Sequence, residues 1–127
     1  MIDHVSIGAR DLDRSSQFYR AALGVIGYRQ LEVRPHAAGF GKKYPELWIN
    51  LRPGMSPIPD DCGAHVSLRV RGSELVDAFH AAAIAAGGSC DGAPGPRPQH
   101  GVGYYAAFIR DLDGNRIEAV TFLEASR

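Results

Sequence analysis

The chain has 127 residues, 14 acidic and 14 basic side chains, and a formal net charge of zero. That length suits one domain able to bury roughly two-thirds of its unfolded surface, and the balanced charge excludes nucleic-acid or membrane-surface binding driven by net charge. No apolar run reaches the roughly 18 residues of a membrane span, no secretory leader is expected at the N-terminus, and Cys62 and Cys90 form no CxxC pair, so the expectation is a cytoplasmic protein with ordinary thiols.

Asp3–Ala9 alternates as a strand does, with His4, Ser6 and Gly8 on one face and Val5 and Ile7 on the other. Asp11 reads as a helix N-cap; Leu12, Phe18, Tyr19, Ala22 and Leu23 then recur at helical spacing, and Gly24 suits the exit. Tyr28–Arg34 reads as a second strand, and Pro35 opens a loop holding His36 and Gly39. Phe40–Lys43 is a short third strand and Glu46–Arg52 a fourth, with Trp48, Asn50 and Arg52 on one face. Residues 53–63, rich in proline, glycine and aspartate, read as a linker.

The opening then recurs. His65-Val66-Ser67-Leu68 repeats His4-Val5-Ser6-Ile7, and at the same offset Arg71 follows Arg10, Phe79 follows Phe18, and Gly88 follows Gly27. Ser73 reads as the N-cap of a helix whose face carries Leu75, Val76, Phe79, Ala82, Ala83 and Ala86. A short strand is expected at Ser89–Asp91, then a long loop to His100, then strands at Tyr104–Arg110 and Asn115–Leu123. Trp48-Ile49-Asn50-Leu51 aligns with Arg116-Ile117-Glu118-Ala119, which pairs Asn50 with Glu118. The reading is an α+β domain spanning 1–127, built of two strand–helix–strand–strand–strand modules, about 1–52 and 64–123. Two copies are too few for a solenoid; a tandem duplication about a pseudo-twofold axis fits.

Asp111-Leu-Asp-Gly-Asn115 supplies the residues that reverse a strand. If Arg110 pairs with Arg116, Phe108 lies opposite Glu118, and a carboxylate in an apolar strand needs a partner. Two curved sheets around a cavity would bring His4, His65 and Glu118 together, a ligand set for a divalent first-row metal with open positions. The plainer reading pairs Glu118 with Arg69, Arg110 or Arg116 and leaves the histidines as satisfied strand residues.

The sequence resembles the vicinal oxygen chelate superfamily, which includes glyoxalase I, extradiol dioxygenases, and fosfomycin- and bleomycin-resistance proteins. The resemblance is carried by Asp3-His4-Val5-Ser6-Ile7, Arg10-Asp11-Leu12 leading into Phe18-Tyr19, His65-Val66-Ser67-Leu68, and Tyr104–Phe108 running into Asp111–Glu118. It implies paired βαβββ modules, a glyoxalase-like fold, and a metal held by His4, His65 and Glu118. In glyoxalase I the position matched to Asn50 carries a glutamate that serves as ligand and base. Asparagine cannot take a proton at working pH, so true glyoxalase I activity is not expected.

The expected function is metal-dependent lyase, isomerase or dioxygenase chemistry on a small substrate chelated through adjacent oxygens. The metal would be zinc, iron, nickel or manganese. Trp48, Tyr104 and Phe108 would wall the site by strand parity, with Asn50 and Arg69 as substrate-binding groups. His100, in a glycine-rich loop, is a candidate acid–base residue. The alternative is a metal-free protein that sequesters a small molecule or antibiotic. A homodimer is expected, with modules paired within one chain or exchanged between two.

Overall fold

A computed structural model describes residues 1–123. The first module comprises β1 (Val5–Ala9), α1 (Leu12–Gly24), β2 (Arg29–Val33), β3 (Ala37–Gly41) and β4 (Leu47–Leu51). The second comprises β5 (Val66–Arg69), α2 (Ser73–Ala85), β6 (Ser89–Pro96), β7 (Tyr104–Arg110) and β8 (Arg116–Phe122), with a 3-10 turn at Pro98–His100. Each module forms an open mixed sheet in the same order, β1-β4-β3-β2 and β5-β8-β7-β6. The α+β duplication expected from the repeat is therefore present as two βαβββ units.

Strand alternation decides which side of each sheet is dry. Leu47 and Ile49 of β4 are buried beside Ala38 and Phe40 of β3, and Ile117 and Ala119 of β8 beside Ala107 and Ile109 of β7. Against these faces pack Phe18, Tyr19, Ala22 and Leu23 of α1 and Val76, Phe79 and Ala83 of α2, in one continuous core. At 1.5–3 kcal/mol per large apolar side chain, this shared core is the main force holding the modules together. Gly88 admits Phe18 across the module boundary: a Cβ there would lie 2.8 Å from Phe18 Cε1. The opposite, polar face of each sheet is left open.

Four local expectations need correction. β3 begins at Ala37, so Gly39 lies in a strand; a Cβ there would come within 3.1 Å of the Trp48 ring, so the glycine makes room for the indole. β6 continues to Pro96 because it is an edge strand, where proline costs no ladder bond. The N-cap of α2 is Gly72, at φ +101°, not Ser73. Its backbone N–H donates to Thr121 Oγ1 at 3.0 Å.

The fourth concerns the repeat itself. Val5 and Ser6 face Leu47 and Trp48 across the parallel ladder, whereas Val66 and Ser67 face Ile117 and Glu118. With His4 kept equivalent to His65, the counterpart of Glu118 is Trp48, not Asn50. A shift of two residues keeps every side chain on its face, so sequence parity could not detect it.

Candidate functional site

Glu118 lies in the middle of β8, opposite Phe108 on β7 and Ser67 on β5, and is 1% exposed. Its two partners are the residue just before β5 and the first residue of β7. Glu118 Oε1 is 2.9 Å from His65 Nε2. Tyr104 Oη donates to Glu118 Oε2. Burial, then the hydrogen bond to Glu118 and its charge, push the Tyr104 phenol up to about 12, so it stays a donor at neutral pH. The His65 side chain is 46% exposed, open to the polar face.

The arginine alternatives for Glu118 are committed elsewhere. Arg110 Nη1 pairs with Asp60 at 3.0 Å, and its Nε lies 3.5 Å from Asp91. Arg116 donates to the backbone oxygens of Asp60 and Cys62, fastening the segment between the modules. Arg69 lies over the Phe122 ring, 4.6 Å from its centroid.

Phe108 flanks the pair, its centroid 6.3 Å from that of His65, and His100 stands 5.3 Å from the Tyr104 ring. The second module thus gathers His65, Arg69, His100, Tyr104, Phe108 and Glu118 on or beside one face. Trp48 and Asn50 lie on the corresponding face of the first module, with Arg34 stacked 4.5 Å over Trp48. His4 Nδ1 is 2.7 Å from Asp3 Oδ2, and His4 lines a cleft with Ser67 and Arg69 of β5. Asn115 Nδ2 holds Gly8 O at 2.9 Å, which docks the far end of β1 beside the start of β8. Among the described residues no three His, Cys, Asp or Glu side chains gather as a metal-ligand group.

The turn before β8 is a lock between the modules. The buried Asp111 accepts from Tyr19 Oη at 2.5 Å, from Asn115 Nδ2 at 2.9 Å, and from the N–H groups of Asp113 and Asn115 at 2.9 and 2.8 Å. Burial raises its carboxyl above the usual range, while these hydrogen bonds oppose the shift. Asp113 accepts from Arg10 N, Arg10 Nη1 and Ser15 Oγ at 3.0–3.1 Å. The most distinctive stretch of the sequence thus sets where β8, and with it Glu118, meets the first module.

Sequence reasoning missed three features: Tyr104 as hydrogen-bond donor, Phe122, and Arg97, whose guanidinium lies over Phe108. Phe122 was within reach, since it shares strand parity with Glu118. A shallow cleft of about 230 Å³ opens beside His65, lined by Cys62, Asp91, Phe108 and Arg116. A larger one, about 700 Å³, lies between α1 and β2–β3, away from the His65–Glu118 pair.

A family model described as the Glyoxalase/Bleomycin resistance protein/Dioxygenase superfamily matches residues 1–119. The fold is similar to a glyoxalase/bleomycin resistance protein from Albidiferax ferrireducens, at 32% identity and TM-score 0.79, covering 94% of this chain and 96% of that one. It is also similar to a glyoxalase/bleomycin resistance protein/dioxygenase family enzyme from Burkholderia phytofirmans, at 22% identity and TM-score 0.74, covering 96% and 98%. A glyoxalase-related enzyme from Fulvimarina pelagi aligns at 20% identity and TM-score 0.73, covering 95% and 87%. No curated protein matches the chain significantly. The matched model, the 32% identical relative and the paired βαβββ sheets agree: the chain belongs to the glyoxalase/bleomycin resistance protein/dioxygenase superfamily.

Proposed function

We propose that this protein is a divalent-metal-dependent enzyme acting on a small substrate through two adjacent oxygens. The observation that carries the reading is a buried carboxylate, Glu118, paired with an imidazole on an otherwise open face. The donors fit a first-row divalent metal in kind: a neutral imidazole nitrogen and a carboxylate oxygen. They are two, and a third is required. His4 is our choice, supplied by a second copy of the chain, because within one chain it lies in the other module beside Asp3. A homodimer whose sites each draw on both chains follows from that choice. The free thiols Cys62 and Cys90 suit a reducing cytoplasm.

The bound metal would supply Lewis-acid stabilisation of negative charge on the substrate oxygens. Tyr104 would fix Glu118 from its second oxygen, leaving the other for the site. Neither Trp48, at the position related to Glu118, nor Asn50 can take up a proton. Base chemistry from the first module's sheet is therefore outside the proposal.

A second reading rests on the same residues. His65 and Tyr104 already satisfy Glu118 without a metal, which favours a binding protein of the resistance type. Metal content separates the two. Protein purified without chelator is expected to carry near-stoichiometric zinc, iron, nickel or manganese, and a His65→Ala variant to lose it. No metal in the parent, and none taken up on titration, would leave the binding-protein reading.

A further inference from the structure

We propose that the open face of the second module is an oxyanion receptor centred on Arg97, and that the substrate is a small carboxylate with an oxygen on the neighbouring carbon. The inference deepens the reading of the His65–Glu118 site and rests on it for the role of the second oxygen.

Arg97 follows β6, and its guanidinium folds back along that strand. Nη2 donates to Ala93 O at 2.7 Å and Nη1 to Pro96 O at 3.3 Å. The guanidinium carbon stands 5.5 Å from the Phe108 ring centroid. Two glycines make the space. A Cβ at Gly92 would lie 3.2 Å from Arg97 Nη2 and 2.9 Å from Phe108 Cδ1, and one at Gly95 would lie 3.3 Å from Arg97 Nη1. Two carbonyls, an aromatic ring and two glycines therefore hold this cation in one place.

Backbone carbonyls orient a guanidinium without neutralising it. Among the described residues Arg97 has no carboxylate partner; the arginine ion pairs involve Arg10, Arg110 and Arg116. Glu118 is engaged by His65 and Tyr104, and Asp91 by Arg110 and Arg116. A guanidinium has five N–H donors, so Arg97 keeps donors free for a ligand. Phe108 lies opposite Glu118, and its ring centroid is 5.5 Å from the Arg97 guanidinium carbon and 6.3 Å from the His65 centroid, so the cation and the candidate chelating pair border the same ring. On the β5 side Arg69, stacked on Phe122, adds a second positive charge without a carboxylate partner among the described residues. A carboxylate is the oxyanion that meets a fixed guanidinium fork and still presents a neighbouring oxygen to His65 and Glu118. Because the guanidinium is already ordered, binding costs little side-chain entropy.

The test compares 2-hydroxy-2-phenylacetate with its neutral isostere 2-hydroxy-2-phenylacetamide by isothermal titration, with zinc uptake measured separately. Wild type is expected to bind the acid at least tenfold more tightly than the amide. Arg97→Gln is expected to erase that difference while amide binding, zinc stoichiometry and the melting temperature stay as in wild type; Arg97→Lys should recover part of the preference. Equal affinities in wild type, no binding of the acid at millimolar concentration, or an unchanged preference in Arg97→Gln would overturn the proposal. Zinc binding without anion preference would reject the receptor alone. Anion preference without zinc binding would reject the metal reading and leave the receptor standing.

Discussion

The two modules share one strand order and one arrangement of core, and they spend their open faces differently. In the first, the ladder position related to Glu118 is Trp48, opposite a glycine and beneath Arg34. In the second, the carboxylate sits there, opposite Phe108 and bonded to His65 and Tyr104. The first module has no counterpart of Tyr104, because β3 begins only two residues before Gly39, whereas β7 begins four residues before Phe108. Duplication supplied the scaffold twice. Among the described residues the polar pair exists once, and His4 has only its sequence neighbour Asp3 as partner.

That contrast can be broken most completely at the histidines. His4→Ala and His65→Ala are each expected to abolish stoichiometric metal binding if each site takes His4 from one chain and His65 from the other. Mixing the two variants under subunit exchange would then rebuild one of the two sites in each mixed dimer, read as half-stoichiometric metal by mass spectrometry. No recovery in a proven mixed dimer would place both ligands in one chain.

Removing the lock comes next. Asp111→Ala strips acceptors from Tyr19, Asn115 and two backbone N–H groups, and each buried donor left unmade costs about 1–3 kcal/mol. A loss of at least ~3 kcal/mol in urea unfolding is expected, and a loss below ~1 would show that the Asp111 carboxylate is not what fastens the turn.

Tyr104→Phe sharpens the comparison by removing the one donor peculiar to the second module. Metal affinity should fall about tenfold or more, the usual effect of losing a hydrogen bond to a ligand. The alkaline limb of stability should change as well. The folded phenol titrates near 12, above its unfolded value of 10.0, so its contribution is full below pH 10 and is lost as the pH rises toward 12. In Tyr104→Phe that part of the loss between pH 10 and 12 disappears; an unchanged limb would assign it to the more deeply buried Tyr19. The smallest contrast is at the helix starts. Asp11 caps α1 through Arg14 N, whereas α2 has no side-chain cap. Asp11→Ala should cost about 1 kcal/mol, and Ser73→Ala less than about 0.5, in thermal unfolding.

The duplication, the helix faces and the Arg110–Arg116 pairing were legible because each rests on periodicity or turn chemistry, which act over a few residues. That Glu118 has a partner was legible because an isolated carboxylate in an apolar strand has to find one; its direct hydrogen bond to His65 was not, because the sequence offered a metal or an arginine instead. What escaped needed other information. The ladder offset that relates Glu118 to Trp48 preserves parity and so leaves no trace in alternation. The run of β6 past Asp91 depends on its being an edge. Tyr104 reads as a wall residue until its side chain is seen to run along the sheet to a carboxylate on the next strand. Whether His4, His65 and Glu118 gather as one ligand group depends on how whole modules dock, which no local pattern encodes; among the described residues they do not.

The lock at Asp111–Asn115 also bears on what a protease would do. Residues 53–63 carry no helix or strand, whereas the contacts that fasten the halves are hydrogen bonds and buried rings distributed over both. A single cut in that stretch would therefore yield a nicked protein whose two fragments stay together as one particle, and which separate only when denatured.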